Sequence, residues 1–337
     1  DLGDDETLCV AAAMPVYCSH SPHNLQERQE LLERGYAGAQ CSGPLASPGE
    51  HLNIKATTLL ELGDIAGLRQ LIPQILDVQD RYRYAQNEFL PLAMNATLQT
   101  AEGQLGDAEK TLDRLATVMH TVDSAAARAA QLMALRRMQG RSGEVESLAL
   151  AAVQQYPDVL SYRANLALMY SQAGRSDEAL AAVDVALIRG AAAIPRDFLW
   201  LGTVNMLADA CVDVGHHAAA QAVYDVLGSK AADNAAFIQV VAFGSMGRVA
   251  GRLAALLERY DEAEQHFEHA LRENDRMGFH AWTAWTRLDY GEMLLRRDAP
   301  GDRYRAIAFL QQAHDFAKQS GMGKVERDSA GLLVSLA

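Results

Sequence analysis

The strongest constraint in the sequence is a recurring unit. A residue suited to a tight turn is followed some five positions later by a small apolar residue, and four further on by a larger one. Gly103 precedes Ala108 and Leu112, Gly174 precedes Ala179 and Val183, and Gly215 precedes Ala220 and Tyr224. Glu258 takes the turn position before Ala263 and Phe267. Gly63 before Leu68 and Ile72, and Gly140 before Val145 and Ala149, are weaker copies. Asp298 opens a last turn, lengthened by three residues, before Ala306 and Leu310. The turn positions 63, 103, 140, 174, 215, 258 and 298 lie 40, 37, 34, 41, 43 and 40 residues apart. A period of this length, with a helix–turn–helix in each unit, marks a helical solenoid. The small residue lets two helices approach closely, and the larger one fills the gap to the next pair. No pair can bury its apolar face alone, so stacking supplies the core. The expected fold is all-α: a right-handed superhelical solenoid of about seven helix pairs. Leu166 and Tyr170, at i and i+4, face Ala179, Val183 and Ala186. No segment reads as strand alternation bounded by hairpin turns.

Composition bounds the function. Thirty Lys+Arg against 43 Asp+Glu leave a net charge of −13, which argues against a basic nucleic-acid footprint. No apolar run approaches the roughly 20 residues that cross a bilayer. No charged n-region and apolar h-region follow Asp1, so the reading is cytoplasmic, with either an upstream segment removed or a piece of a longer protein. Cys9, Cys18, Cys41 and Cys211 form no C-x-x-C pair and suit a reducing compartment. One disulfide among the first three is the alternative. The domain reading is an atypical N-terminal helical cap or partial repeat at 1–50, the array at 51–325, and a C-terminal helix or tail at 326–337.

The best copy of the unit, Tyr162 to Leu187, resembles the tetratricopeptide (TPR) repeat. Leu166, Ala167, Tyr170, Gly174, Ala179, Val183 and Ala186 stand at matching positions, whereas the motif's opening Trp is Arg163 here. Residues 251–271 match at Gly251, Tyr260, Ala263, Phe267 and Ala270. The uneven intervals mark about seven divergent TPR-like repeats. A narrower resemblance covers roughly residues 50–325. It is to the helical sensor region of large bacterial signalling ATPases laid out like the maltose-regulon activator, with LuxR-type or class III nucleotide cyclase output. Its marks are Tyr260-Asp261-Glu262-Ala263-Glu264, Arg276-Met277-Gly278, Leu288-Asp289-Tyr290 and Pro300-Gly301-Asp302-Arg303. Leu62-Gly63-Asp64 and Pro195-Arg196-Asp197 are similar. The resemblance implies a neighbouring ATP-binding module in a longer parent chain.

Motifs for catalysis are missing. Gly321-Met322-Gly323-Lys324 has Lys318 where a phosphate-binding loop needs its first Gly, and reads as a helix C-terminal turn. Gly244-Ser245-Met246-Gly247 has no strand before it and reads as small residues where helices touch. Cys18, His20 and His23 with Cys9 or Cys41 have zinc-ligand chemistry, but their spacing fits no structural pattern, and loop residues are the plainer reading. His266 and His269 lie one turn apart around Phe267 and read as a solvated face, as His216-His217 reads as surface. Asp177-Glu178, Asp261-Glu262 and Glu264 start second helices, where the dipole favours negative charge. Trp282 and Trp285 form either a core pair or a binding anchor.

Solenoids bind along the concave face, lined by the first helix of each pair. Repeat offsets place Ser161, Gln172, Asp213, Ser245 and Glu292 there, around a recognition strip of Asn205, Asp209, Arg248, Arg252 and Trp285. The paired Lys and Asn that grip peptide C-termini in some TPR domains are absent: Ala164, Arg163 and Leu168 stand near those places. The reading is a non-enzymatic interaction and effector-sensing module of a bacterial signal-transduction or transcription regulator, with no cofactor and no metal. Its partners would be a protein or small-molecule effector and the ATP-binding module, with no direct nucleic-acid or membrane contact. Alternatives are a free-standing TPR adaptor and, third, a metalloprotein or enzyme built on the N-terminal Cys/His group. Gly331-Leu332-Leu333-Val334 is apolar and leaves a homodimer open.

Overall fold

The computed structural model describes residues 24–30, 32–33, 48–82, 89–118, 121–237 and 240–336. The N-terminal Cys/His group (Cys9, Cys18, His20, His23, Cys41) lies outside them. The described chain is mostly helical.

The helices come in pairs: α1 (Pro48–Leu62) with α2 (Ile65–Tyr82), and α3 (Phe89–Glu102) with α4 (Leu105–Val118). Next come α5 (Val122–Gln139) with α6 (Glu146–Gln155), α7 (Leu160–Gln172) with α8 (Ser176–Ala186), and α9 (Trp200–Asp213) with α10 (His217–Leu227). Then α11 (Gly247–Leu256) pairs with α12 (Tyr260–Met277), and α13 (His280–Arg297) with α14 (Asp302–Ser320). A final helix, α15 (Gly323–Leu336), takes in residues 326–336 of the segment read as a C-terminal helix or tail.

The turns form where the sequence places them. All seven turn residues are left-handed, with φ of 69, 89, 70, 74 and 67° at Gly63, Gly103, Gly140, Gly174 and Gly215, and 61 and 52° at Glu258 and Asp298. In the first six, the next amide donates to the carbonyl five residues back, as in Arg175 to Tyr170 (3.0 Å) and Arg259 to Ala254 (2.8 Å). This bond ends one helix and reverses the chain while satisfying a terminal carbonyl. The small residues Ala108, Ala179, Ala220, Ala263 and Ala306 are fully buried. Leu112, Val183, Phe267 and Leu310 fill the space beside them. Gly321 caps α14, as its sequence setting indicates.

First helices pack on the first helices of neighbouring pairs: α3 on α5, α7 on α9, α9 on α11, α11 on α13, and α13 on α15. Two features depart from the sequence reading. The first is an antiparallel hairpin of β1 (Asn234–Phe237) and β2 (Val241–Ser245), with a register shift between Ala235 and Ala236. It inserts between α10 and α11 and packs against α1, α3, α5, α9, α12 and α13. Thus a strand does precede Gly244-Ser245-Met246-Gly247, contrary to expectation. The β2 residues are all buried, so no in–out alternation marks the strand. The Ser245 amide donates to Asn274 Oδ1 at 3.0 Å. A Cβ at Gly244 would sit 2.7 Å from that same oxygen, so this position needs glycine for both space and its φ of +68°.

The second departure is closure. Helix α3 also packs on α13, and α5 on α15. Arg276, near the end of α12, donates to the carbonyls of Gly63 (3.1 Å) and Leu62 (3.2 Å). Phe316 covers Gly103, and the Lys324 amide covers Gly140. The first three pairs therefore meet the last two pairs and α15, and both ends of the chain bound the inner face. At the N-terminal side, buried Arg28 pairs with buried Glu61.

Candidate functional site

Four first helices send charges into the interior: Arg137 from α5, Asp209 and Asp213 from α9, Arg248 and Arg252 from α11, and Asp289 from α13. Residues four apart share a helix face, so each pair presents both groups to the same neighbour. Arg137, Arg248 and Arg252 all pair with Asp209. Arg248 also reaches Asp289 at 2.8 Å, and Arg252 reaches Asp213 at 2.7 Å and Asp289 at 3.4 Å. Asp209 and Arg248 are each 1% exposed. Three cations thus face three carboxylates, and the layer is formally neutral. Burial by itself would raise the Asp209 carboxyl, but the guanidiniums of Arg248, Arg252 and Arg137 hold it well below the usual carboxylate range. Burial pushes Asp289 up to about 6 against the pull of Arg252 and Arg248.

Two indoles complete the layer. Trp282 and Trp285 stack with centroids 5.8 Å apart. Arg137 lies 5.5 and 4.9 Å from their centres, and Arg248 5.4 and 5.7 Å. The Trp282 Nε1–H donates to the Ala242 carbonyl of the hairpin at 3.0 Å. Cation–π contact of desolvated guanidiniums adds to the ion pairs and fixes both rings.

The layer separates two spaces. On one side is a polar chamber of about 610 Å³. Gln172, Asp213, Arg252 and Trp285 form part of its wall, with Glu292 and Arg296 from α13. Helix α15 adds Lys324, Arg327 and Asp328. Lys324 pairs with Asp328 at 2.7 Å and Arg296 with Glu292 at 3.3 Å. Arg327 is exposed and makes no ion pair among the described residues. On the other side, beneath the hairpin, is a smaller apolar cavity of about 60 Å³. Arg137 borders both spaces.

The structure sorts the sequence-derived strip by depth. Arg252 and Trp285 reach the polar chamber, with Gln172, Asp213 and Glu292 beside them. Asp209 and Arg248 are locked in the layer below. Asn205 is fully buried, its Nδ2 directed at Met246 Sδ (3.6 Å). Ser161 borders the apolar cavity, and Ser245 is buried in the hairpin. The strip is thus no exposed recognition surface. Once the array closes and the hairpin fills its centre, carboxylates and guanidiniums find each other before they find solvent. Arg137, Asp289, Arg296, Lys324 and Arg327 were missed. Asp289 carried a signal, lying one turn after Trp285 on the same face. Arg137 carried none, because its pair is a weak copy of the repeat.

Other candidates also acquire partners from adjacent pairs. His266 Nε2 meets the Tyr224 hydroxyl at 2.9 Å, and His269 Nε2 meets the Ala232 carbonyl at 3.1 Å, so neither is simply a solvated side chain. His216 accepts from the Ala219 amide at the start of α10, and its Nε2 reaches Asp184. Cys211 is buried in the core, and burial pushes its thiol up to about 12. Glu264 serves as more than a helix-start charge: it accepts from Arg297 (2.6 Å), Arg305 (2.6 Å) and the Tyr290 hydroxyl (2.8 Å). Burial opposes ionisation of Glu264, but these donors bring it down to about 2. Asp302 in turn holds Arg297 at 2.7 and 2.8 Å, which gives the Pro300-Gly301-Asp302-Arg303 turn its packing role.

Among the described residues, no group of three or more His, Cys, Asp or Glu side chains is arranged to hold a metal ion. Nor is any helix there long and apolar enough to cross a membrane. No protein-family model matches the chain, and no curated protein matches it.

Proposed function

We propose that the chain is a non-enzymatic sensing and interaction module, a closed superhelical array of divergent TPR-like repeats. It belongs to a larger bacterial signal-transduction or transcription regulator and binds a polar effector in the chamber between α7, α9, α11, α13 and α15. The observation that carries this reading is the chamber itself. Its volume suits a small molecule, and it mixes Gln172, Asp213, Glu292, Lys324 and Arg327 around one indole edge. Below it, the acids and bases that could act as catalysts neutralise each other in fixed pairs. Closure favours a small effector, or a single side chain or terminus of a protein, over an extended peptide. Because α15 forms one wall and packs on α5, an effector touching both ends of the array would stabilise the closed form. Coupling to a neighbouring ATP-binding module requires only that the effector bind two states of the array unequally.

Two measurements test this. The first is the intact mass of the native gene product in its own cells. A mass far above 36.6 kDa supports a sensor within a longer chain, whereas one near 36.6 kDa turns the reading to a free-standing adaptor. The second is effector response in the native product carrying Arg327→Ala or Glu292→Ala. Both side chains face the chamber, and their loss leaves the buried layer intact. A response unchanged in both variants removes the chamber from the mechanism.

A further inference from the structure

We infer that the apolar cavity beneath the hairpin is a second binding site, for a small uncharged molecule with a short aliphatic body and one hydroxyl. The hairpin, α3, α5, α7, α9 and α13 line it. Its apolar wall includes Ala96, Met133, Met206, Val240, Phe243 and Trp282. A water-sized group takes roughly 10–15 Å³ of such space, so about 60 Å³ holds roughly four to six heavy atoms. Methionine side chains re-pack easily, which lets this wall follow the shape of a guest.

The polar end of the ligand follows from two orphan atoms. Gln131 and Ser161 line the cavity and are 3% and 2% exposed. Gln131 Nε2 already donates to the Ala93 carbonyl (2.6 Å) and to Thr97 Oγ1 (3.0 Å). That fixes the orientation of its amide and leaves Oε1 as an acceptor with no partner. Ser161 Oγ also has none. An unpaired buried acceptor is costly, and a ligand hydroxyl is a suitable donor to Gln131 and a partner for Ser161. Charge is excluded by the third feature. Arg137 is the one cationic side chain on the wall among the described residues, and Asp209 already engages it. A carboxylate or ammonium entering here would lose its water without gaining a counter-ion. The site is independent of the effector reading, since it lies on the opposite side of the ion layer and shares only Arg137 with the chamber wall.

Methionine ε-methyl NMR on the full chain tests this with 1-butanol as probe. The expected result is saturable shifts of the Met133, Met138 and Met206 signals, which line the cavity, with Met293 and Met322 unmoved. Ala134→Met, on the half-buried cavity side of α5, should abolish the shifts while the Met293 and Met322 signals report an intact fold. Ser161→Ala should weaken 1-butanol by roughly three- to tenfold, one hydrogen bond's worth, and leave pentane binding unchanged. Butyrate should produce no saturable shift. The inference is overturned if 1-butanol moves none of the three signals, as for a cavity that holds only water. It is equally overturned if Ala134→Met binds as well as the native chain, if Ser161→Ala weakens neither compound, or if butyrate binds as tightly as the alcohol.

Discussion

Two arginine–carboxylate clusters in this molecule have the same chemistry and different standing. The inner one ties Asp209 to Arg137, Arg248 and Arg252, joining the first helices α5, α9 and α11. The outer one ties Glu264 to Arg297 and Arg305, joining α12 to α13 and α14. Asp209 is 1% exposed, whereas Glu264 is 23% and Arg305 39% exposed. Asp209 and Arg248 at the heart of the inner cluster have given up almost all water, so they depend on each other and on Arg137 and Arg252 around them. The outer groups keep part of their solvation and can be lost singly. Position in the array, and not residue type, decides which cluster fixes the fold and which merely decorates it.

The largest expected effect tests that difference directly. Asp209→Asn removes the charge that buried Arg137 and Arg248 and half-buried Arg252 share, and urea unfolding should show a loss of about 3–5 kcal/mol. Glu264→Gln should lose only about 1 kcal/mol, as suits a partly solvated cluster. If the two substitutions destabilise equally, burial is not what separates the clusters. For the same reason Arg248→Ala is a folding variant and not a clean probe of binding.

A pH series sharpens the contrast, because Asp289, which braces the inner cluster through Arg248 and Arg252, titrates with the opposite sign to Glu264. Glu264 is depressed to about 2, below its ordinary 4.5. Its contribution is therefore present above 4.5 and lost as pH falls toward 2. Asp289 is raised to about 6 from 3.8, so the folded state takes up a proton as pH falls through 6, and stability gains between 6 and 3.8. Asp289→Asn should remove that gain. Relative to the native chain, the variant should be less stable at pH 5 than at pH 7.5 in paired urea melts. The smallest effect is that of salt. Raising ionic strength should narrow the gap between native and Glu264→Gln chains by a few tenths of a kcal/mol, and should leave the Asp209→Asn gap unchanged.

The legibility of the molecule divides along similar lines. Turn residues at 63, 103, 140, 174, 215, 258 and 298 were readable because a reversal between close-packed helices needs a left-handed residue and small neighbours, all within some ten positions. Even Glu258 and Asp298, which lack glycine's freedom, were found from the spacing alone. The hairpin was not readable. Its strand Val241–Ser245 is buried on both faces, and a short apolar run without alternation looks the same as a piece of buried helix. Of the candidate site, Arg252, Trp285, Asp213, Gln172 and Glu292 were readable as inward positions, since repeat offsets fix which face of a first helix points inside. Their final depth was not.

The sequence by itself therefore determined the units: where each helix ends, which helix it folds back on, and which residues face inward. These are local matters of turn conformation and side-chain size. Only the tertiary structure decided that the first pairs would meet the last, that a hairpin would occupy the centre, and that Asp209 and Arg248 would be sealed in an ion layer between two spaces. Closure depends on the angles between successive helix pairs of unequal length, and burial depends on what arrives from residues a hundred or more positions away. Thr97 bonded to the Val240 carbonyl at 2.8 Å is such a contact. No local pattern encodes that sum.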